Sequence, residues 1–252
     1  MMVMAGENSS YSIVIHSPGI DRIFLHCTGA NDTFQGSDLR WELLTGARLF
    51  HFGYPPLMKR MYADGGTELA GMLHEVKRAG LTTSLDMAKP DPASEAGRAD
   101  WIAILEKVLP EVDVFLPSVE EILYMLDRPF YERLALAKGD IAEHLDGEHL
   151  GVLADRMIGM GAAIVAIKLG EHGLYLRTAG ERRLQSMGAC TPKNIGEWAD
   201  RELLATCYQV EVAGTTGAGD CTIAGFLAGL LKGLSPEAAL RAAAAVGACN
   251  VE

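Results

Sequence analysis

Cationic residues are scarce in this chain: 22 Lys and Arg stand against 33 Asp and Glu in 252 residues, a net charge of −11. A nucleic-acid surface needs clustered Lys and Arg to neutralise phosphates, so that class of partner is excluded. Cysteine is also thin. Cys27, Cys190, Cys207, Cys221 and Cys249 are odd in number, scattered and nowhere paired as Cys-x-x-Cys, which argues against a disulfide framework or a zinc site and fits reduced thiols in a cytoplasmic protein. No uninterrupted apolar run approaches the ~18 residues of a membrane helix, and Met1 to Gly6 lacks a basic segment leading into an apolar one. No membrane partner is expected. His144 and His149 lie in a charged stretch without His-Glu-x-x-His spacing, and neither Gly-x4-Gly-Lys-Ser/Thr nor Gly-x-Gly-x-x-Gly occurs, so the common phosphate-binding motifs lose support.

What the chain does hold is apolar residue in alternating periods. At 49% hydrophobic over 252 residues it can bury one large core, and a single α/β domain over 1–252 is the simpler organisation. Short apolar runs predict strands at 49–52, 81–85, 112–116, 163–167 and 174–177, while helical spacing predicts helices at 67–79, 100–108, 150–158, 222–231 and 237–249. Ser235-Pro236-Glu237 is a helix start, with a capping hydroxyl, Pro in the first turn and an acid near the dipole. A short helix is expected around 37–45. Two β-rich runs, 11–16 and 21–27, flank Ser17-Pro18-Gly19-Ile20 and predict a hairpin whose apolar residues need cover. Residues 178–206 show no pattern.

The chemistry concentrates in Gly214-Thr215-Thr216-Gly217-Ala218-Gly219-Asp220-Cys221, between the β-branched run Tyr208–Val212 and the apolar segment after it. This reads as strand, glycine turn, helix. The first amides of a helix lack intrahelical partners and the dipole adds positive charge, so such a turn suits an anion, with phosphate the obvious candidate. Gly217 and Gly219 put no Cβ between the backbone donors and that anion. A carboxylate at Asp220 would repel a bound phosphate unless it had work such as taking a proton from an attacking hydroxyl. A simple turn, with Asp220 favouring the positive end of its helix by roughly 0.3–1 kcal/mol, explains the same residues.

Gly214 to Asp220 resembles the C-terminal signature of the ribokinase-like (PfkB) carbohydrate kinases, Asp-Thr-x-Gly-Ala-Gly-Asp, with Gly214 in place of the first Asp. The resemblance implies a three-layer α/β/α sandwich with a mainly parallel sheet and a small β lid spanning 11–32. It implies ATP and Mg²⁺, a small sugar or polyol substrate, a homodimer through the lid, and transfer of the ATP phosphoryl group to a hydroxyl. Asp220 takes the role of base, and the amides of Gly217, Ala218 and Gly219 that of anion hole, with Thr215 beside the nucleotide. The first Asp of the signature helps bind a monovalent cation, so Gly214 argues against one here. Set against the family's pattern, the chain is expected to lack the N-terminal sugar-binding segment and the C-terminal end. That leaves two alternatives: a truncated, non-catalytic domain that binds nucleotide or sugar or dimerises, and a kinase for a vitamin precursor or nucleoside.

Further candidates sit at predicted strand ends, where ligands gather in open α/β sheets. Asp86 and Lys89 follow the 81–85 strand, and Lys168 and Gly170 follow the 163–167 strand, which the resemblance places beside the nucleotide phosphates. Ser118 and Glu121 fit a capping box and also match the family's Asn-x-x-Glu element, whose Glu organises Mg²⁺ through its water shell. Asn31, in Gly29-Ala30-Asn31-Asp32, is a candidate for substrate contact, and a turn with a helix cap explains it too.

Overall fold

The computed structural model describes residues 6–15, 23–137 and 139–252. The chain order is β1 (Tyr11–Ile15), β2 (Ile23–Cys27), β3 (Leu49–Phe52), α1 (Lys59–Tyr62), α2 (Thr67–Arg78), β4 (Thr82–Leu85), α3 (Trp101–Val108), β5 (Val114–Phe115), α4 (Val119–Leu126), α5 (Arg128–Ala135), α6 (Gly147–Gly159), β6 (Ile164–Lys168), β7 (Leu174–Thr178), α7 (Glu181–Leu184), α8 (Ile195–Trp198), β8 (Glu202–Ala205), α9 (Ala218–Leu231) and α10 (Pro236–Val251).

β3 to β8 form a six-stranded sheet in sequence order, with β3 to β6 parallel and β7 and β8 antiparallel. When strand order follows chain order, crossovers of one hand return on one face of the sheet. Accordingly α2, α3, α4 and α6 share a core with Leu85, Phe115, Val165 and Ile167. On the other face Ile223, Phe226 and Leu230 of α9 and Leu240 and Ala243 of α10 pack on Val114, Ile164, Ala166 and Leu176. The period of two along β6 divides its residues between these cores. The result is the expected α/β/α sandwich.

α9 and α10 approach closely because their contact is made of small residues. A Cβ on Gly225 would stand 2.9 Å from the Ala242 carbonyl oxygen, and one on Gly229 would stand 3.0 Å from Ala239 Cα. The helix start expected at Ser235 is present, its hydroxyl accepting from Ala238 N–H at 3.3 Å.

Three expectations are corrected. The 37–45 helix is instead two 3₁₀ turns, Gly36–Asp38 and Trp41–Leu44; Leu43 and Trp41 are exposed there, so no apolar face anchors a longer helix. Tyr208–Val212 is not a strand. Tyr208 and Val212 are exposed, and a β-rich run without a neighbouring strand has no ladder to join. The unpatterned 178–206 stretch holds α7, α8, β8 and a 3₁₀ turn at Gly188–Cys190. Each is too short for a period to register, yet Leu184, Met187, Cys190 and Trp198 are buried in the second core.

β1 and β2 form an antiparallel pair with Ile13 opposite Leu25, as expected; the turn residues 16–22 lie outside the described residues. The cover expected for this hairpin is missing among the described residues for Tyr11, Ile13, Ile15, Ile23 and Leu25, all of which are exposed.

Candidate active site

The site begins at the carboxyl ends of β4 and β6. Ser84 to Asp86 and Ala166 to Lys168 are two-residue steps, so both charged side chains leave the sheet on the α9 face. Lys168 Nζ lies 2.6 Å from Asp86 Oδ1, and both side chains are largely buried. Burial pushes the Asp86 carboxyl above its ordinary range, and the Lys168 ammonium opposes that shift. The Lys168 backbone is fixed by its own N–H, which donates to the Pro117 carbonyl at 2.9 Å.

The glycine loop closes over this pair. Gly217 precedes α9 with φ +82°, a conformation costing an L side chain about 1–2 kcal/mol. A Cβ on Gly219 would stand 3.9 Å from Lys168 Nζ, which puts the ammonium beneath the first turn of α9. The amides of Ala218 and Cys221 donate to Thr215 O and Gly217 O. Those of Gly219 and Asp220 have no hydrogen-bond partner among the described residues, as the free donors of a helix start require. Two unpaired amides, a cation and no Cβ make an anion cradle.

α10 braces the loop from behind. Ala213 and Gly214 donate to Val251 O, and Asn250 Nδ2 donates to Thr216 O at 2.8 Å. Asn250 Oδ1 accepts from Cys221 Sγ at 2.8 Å and would lie 3.3 Å from a Cβ on Gly217. Asn250 escaped the sequence reading because nothing but its polarity sets it apart in an Ala-rich helix.

Asp220, third residue of α9, accepts a hydrogen bond from the Tyr54 hydroxyl at 2.5 Å on Oδ1. Tyr54 follows β3, and its N–H donates to Asp86 O at 3.3 Å, so the β3–β4 ladder carries it to the site. Partial burial and the Asp220 carboxylate push its phenol well above the ordinary tyrosine range. His51, one ladder step earlier, bonds Ser84 Oγ at 3.0 Å. Neither residue carries a motif in the sequence; only strand pairing brings them here.

Glu121 fulfils the capping box: its N–H donates to Ser118 Oγ at 3.3 Å, and Oε2 accepts from Ser118 N–H at 2.6 Å. Its other oxygen, Oε1, has no hydrogen bond among the described residues. Burial raises its pKa to about 7, with the Lys168 charge lowering it and Asp86 raising it. The charges of Lys168 and Asp86 both act on Glu121, and its carboxylate with that of Asp86 offers hard oxygen ligands of the kind that suits Mg²⁺.

Other candidates lie apart. Lys89 pairs with Glu120 at 2.9 Å on the α4 surface. Asn31 donates to Ser10 Oγ at 3.0 Å at the base of the hairpin. Gly170 opens a 3₁₀ turn with φ +59° and accepts from Cys207 Sγ, and Thr215 enters through its carbonyl, which accepts from Ala218 N–H. A cavity of about 680 Å³ opens beside α6 and the β7–β8 edge, and no residue of the Asp220 cluster lines it.

Comparison with known proteins bears on the family and the fold. The sequence profile of the pfkB family carbohydrate kinases matches residues 2–252. An uncharacterized sugar kinase of Archaeoglobus fulgidus is 31% identical over 235 residues, covering 92% of this chain and 72% of that protein. A 2-dehydro-3-deoxygluconokinase of Bacillus subtilis is 25% identical over 201 residues, covering 79% of this chain and 49% of that one. Among solved structures, an Escherichia coli protein described as a ribokinase II, in complex with ATP and Mg²⁺, superposes with a TM-score of 0.65 at 20% identity, over 98% of this chain and 65% of that one. The chain thus spans about two thirds of the solved structure and about half of the B. subtilis kinase. The fold is ribokinase-like.

Proposed function

The chain belongs to the pfkB family of carbohydrate kinases, and on that premise we propose that it transfers the γ-phosphoryl group of ATP to a hydroxyl of a sugar or related polyol. The observation that carries this reading is the start of α9. The base candidate Asp220 stands in the same turn as the unpaired amides of Gly219 and Asp220, with Lys168 beneath Gly219.

Asp220 takes the proton of the acceptor hydroxyl, whose oxygen then attacks the γ-phosphorus. Charge on the transferring group is met by the unpaired amides of Gly219 and Asp220, the α9 dipole and Lys168, all fixed before the reaction, whereas the Ala218 amide is already committed to Thr215 O. Glu121, through its free oxygen, and Asp86 would hold Mg²⁺, which supplies charge neutralisation on the nucleotide phosphates when bound. In this role Asp86 must share its carboxylate between Lys168 and the ion. Gly214 offers no side-chain ligand for a monovalent cation.

The hairpin is the dimer contact in this proposal. Ile13 with Leu25 and Ile15 with Ile23 pair across the strands, and a second copy would cover their exposed apolar face.

Coupled detection of ADP, run against ribose, 2-dehydro-3-deoxygluconate, other sugars, nucleosides and vitamin precursors, tests the activity. Turnover that Asp220→Asn lowers by about 10²–10⁴-fold supports the mechanism. Normal turnover in that variant rejects Asp220 as base, and no ADP with any acceptor favours the binding-only alternative. Sedimentation equilibrium of the protein and of Leu25→Glu reads the dimer.

A further inference from the structure

Tyr54 is a non-glycine residue in the left-handed region, φ +63° and ψ +44°. Such residues store backbone strain and persist where the surroundings over-determine them. Here the surroundings are visible. Its N–H is tied to Asp86 O, its carbonyl accepts from Leu57 N–H at 2.9 Å, and Pro55 and Pro56, both buried, follow directly. Sheet ladder and proline turn together fix where the ring can go.

The ring reaches across 166 residues of sequence to Asp220. An acidic residue in a first helical turn ordinarily accepts from amides of that turn; Asp220 accepts from a phenol on the sheet edge instead. Oδ1 is occupied by Tyr54, whereas Oδ2 has no hydrogen bond among the described residues. A general base needs one oxygen free and its carboxylate plane fixed.

We propose that Tyr54 is a positioning residue for Asp220, its hydroxyl holding Oδ1 so that Oδ2 is presented to the acceptor hydroxyl. This rests on the reading of Asp220 as the base. In the step it serves, the acceptor O–H proton passes to Oδ2 and the acceptor oxygen forms the new bond to phosphorus. The bond between γ-phosphorus and the ADP oxygen breaks, its electron pair leaving on ADP.

Tyr54→Phe keeps the ring and removes only the hydroxyl. With an acceptor found in the ADP assay, it is expected to lower kcat by about 10–100-fold and to leave the KM for ATP within about twofold, as a misdirected base does. A hydroxyl with a merely structural role would lower the melting temperature and leave kcat unchanged, which overturns the proposal. A second measurement needs no turnover: in protein labelled with [¹³Cζ]tyrosine, the resonance missing from Tyr54→Phe is expected to shift in Asp220→Asn. An unmoved resonance denies the contact and overturns the proposal. Wild-type protein that forms no ADP removes the kinase reading and this inference with it. Wild-type turnover abolished by Asp220→Asn but untouched by Tyr54→Phe removes the inference alone.

Discussion

Lys168 Nζ and Asp86 Oδ1 are 2.6 Å apart, with the lysine side chain 13% exposed and the aspartate 3%. The cation beneath the glycine loop is thus already partnered by a carboxylate from another strand. A buried pair of this kind is a weak contributor to stability when intact and a costly one when halved, because the remaining charge has no solvent.

Lys168→Met is expected to destabilise the protein by about 3–5 kcal/mol in urea unfolding, since it strands Asp86 in the interior. Lys168→Met combined with Asp86→Leu should recover most of that loss. A double-mutant cycle gives the coupling, and additive losses would show that the two do not depend on one another. Turnover should stay low in all three variants.

Glu121 sets a pH dependence whose sign follows from burial. Its folded pKa is raised from the ordinary 4.5 to about 7, so folding favours the protonated form. The stabilisation is full below about pH 4.5, is lost as pH rises towards 7, and stays lost above. Thermal melts of the metal-free protein should therefore show a declining contribution over that interval, flattened in Glu121→Gln. Mg²⁺ binding, followed by calorimetry, should strengthen across the same interval as the carboxylate ionises.

Asn250 links the last turn of α10 to the glycine loop through Thr216 O and Cys221 Sγ. Asn250→Ala is expected to cost about 1–2 kcal/mol and to weaken ATP binding several-fold in calorimetric titration, although its hydrogen bonds go to Thr216 and Cys221 and not to Asp220. Unchanged affinity would mean that the loop holds its shape without this brace.

Much of the scaffold was legible because it obeys local periods. The four apolar residues of α2, Leu69, Met72, Leu73 and Val76, are all buried, and β4 and β6 end within one residue of the apolar runs that predicted them. Pairing partners were less so. Tyr208–Val212 has strand composition but no strand beside it, and β8 has four residues whose only mark is the edge it completes. Asp113 lies inside the predicted 112–116 strand with nothing in the sequence to mark it, yet it is fully buried between Lys77 at 2.6 Å and Arg183 at 2.9 Å.

By itself the sequence determined the class of layers, the glycine turn ahead of a helix and the acid at its start, because periodicity and backbone sterics act over a few neighbouring residues. Only the tertiary structure decided which side chains meet. The β3–β4 register sets Tyr54 against Asp220, the two-residue step of parallel strands aims Lys168 at Asp86, and the small-residue contact of α9 with α10 puts Asn250 behind the loop. Each of these joins residues far apart in the chain, and no local pattern records a distance that chain folding alone creates.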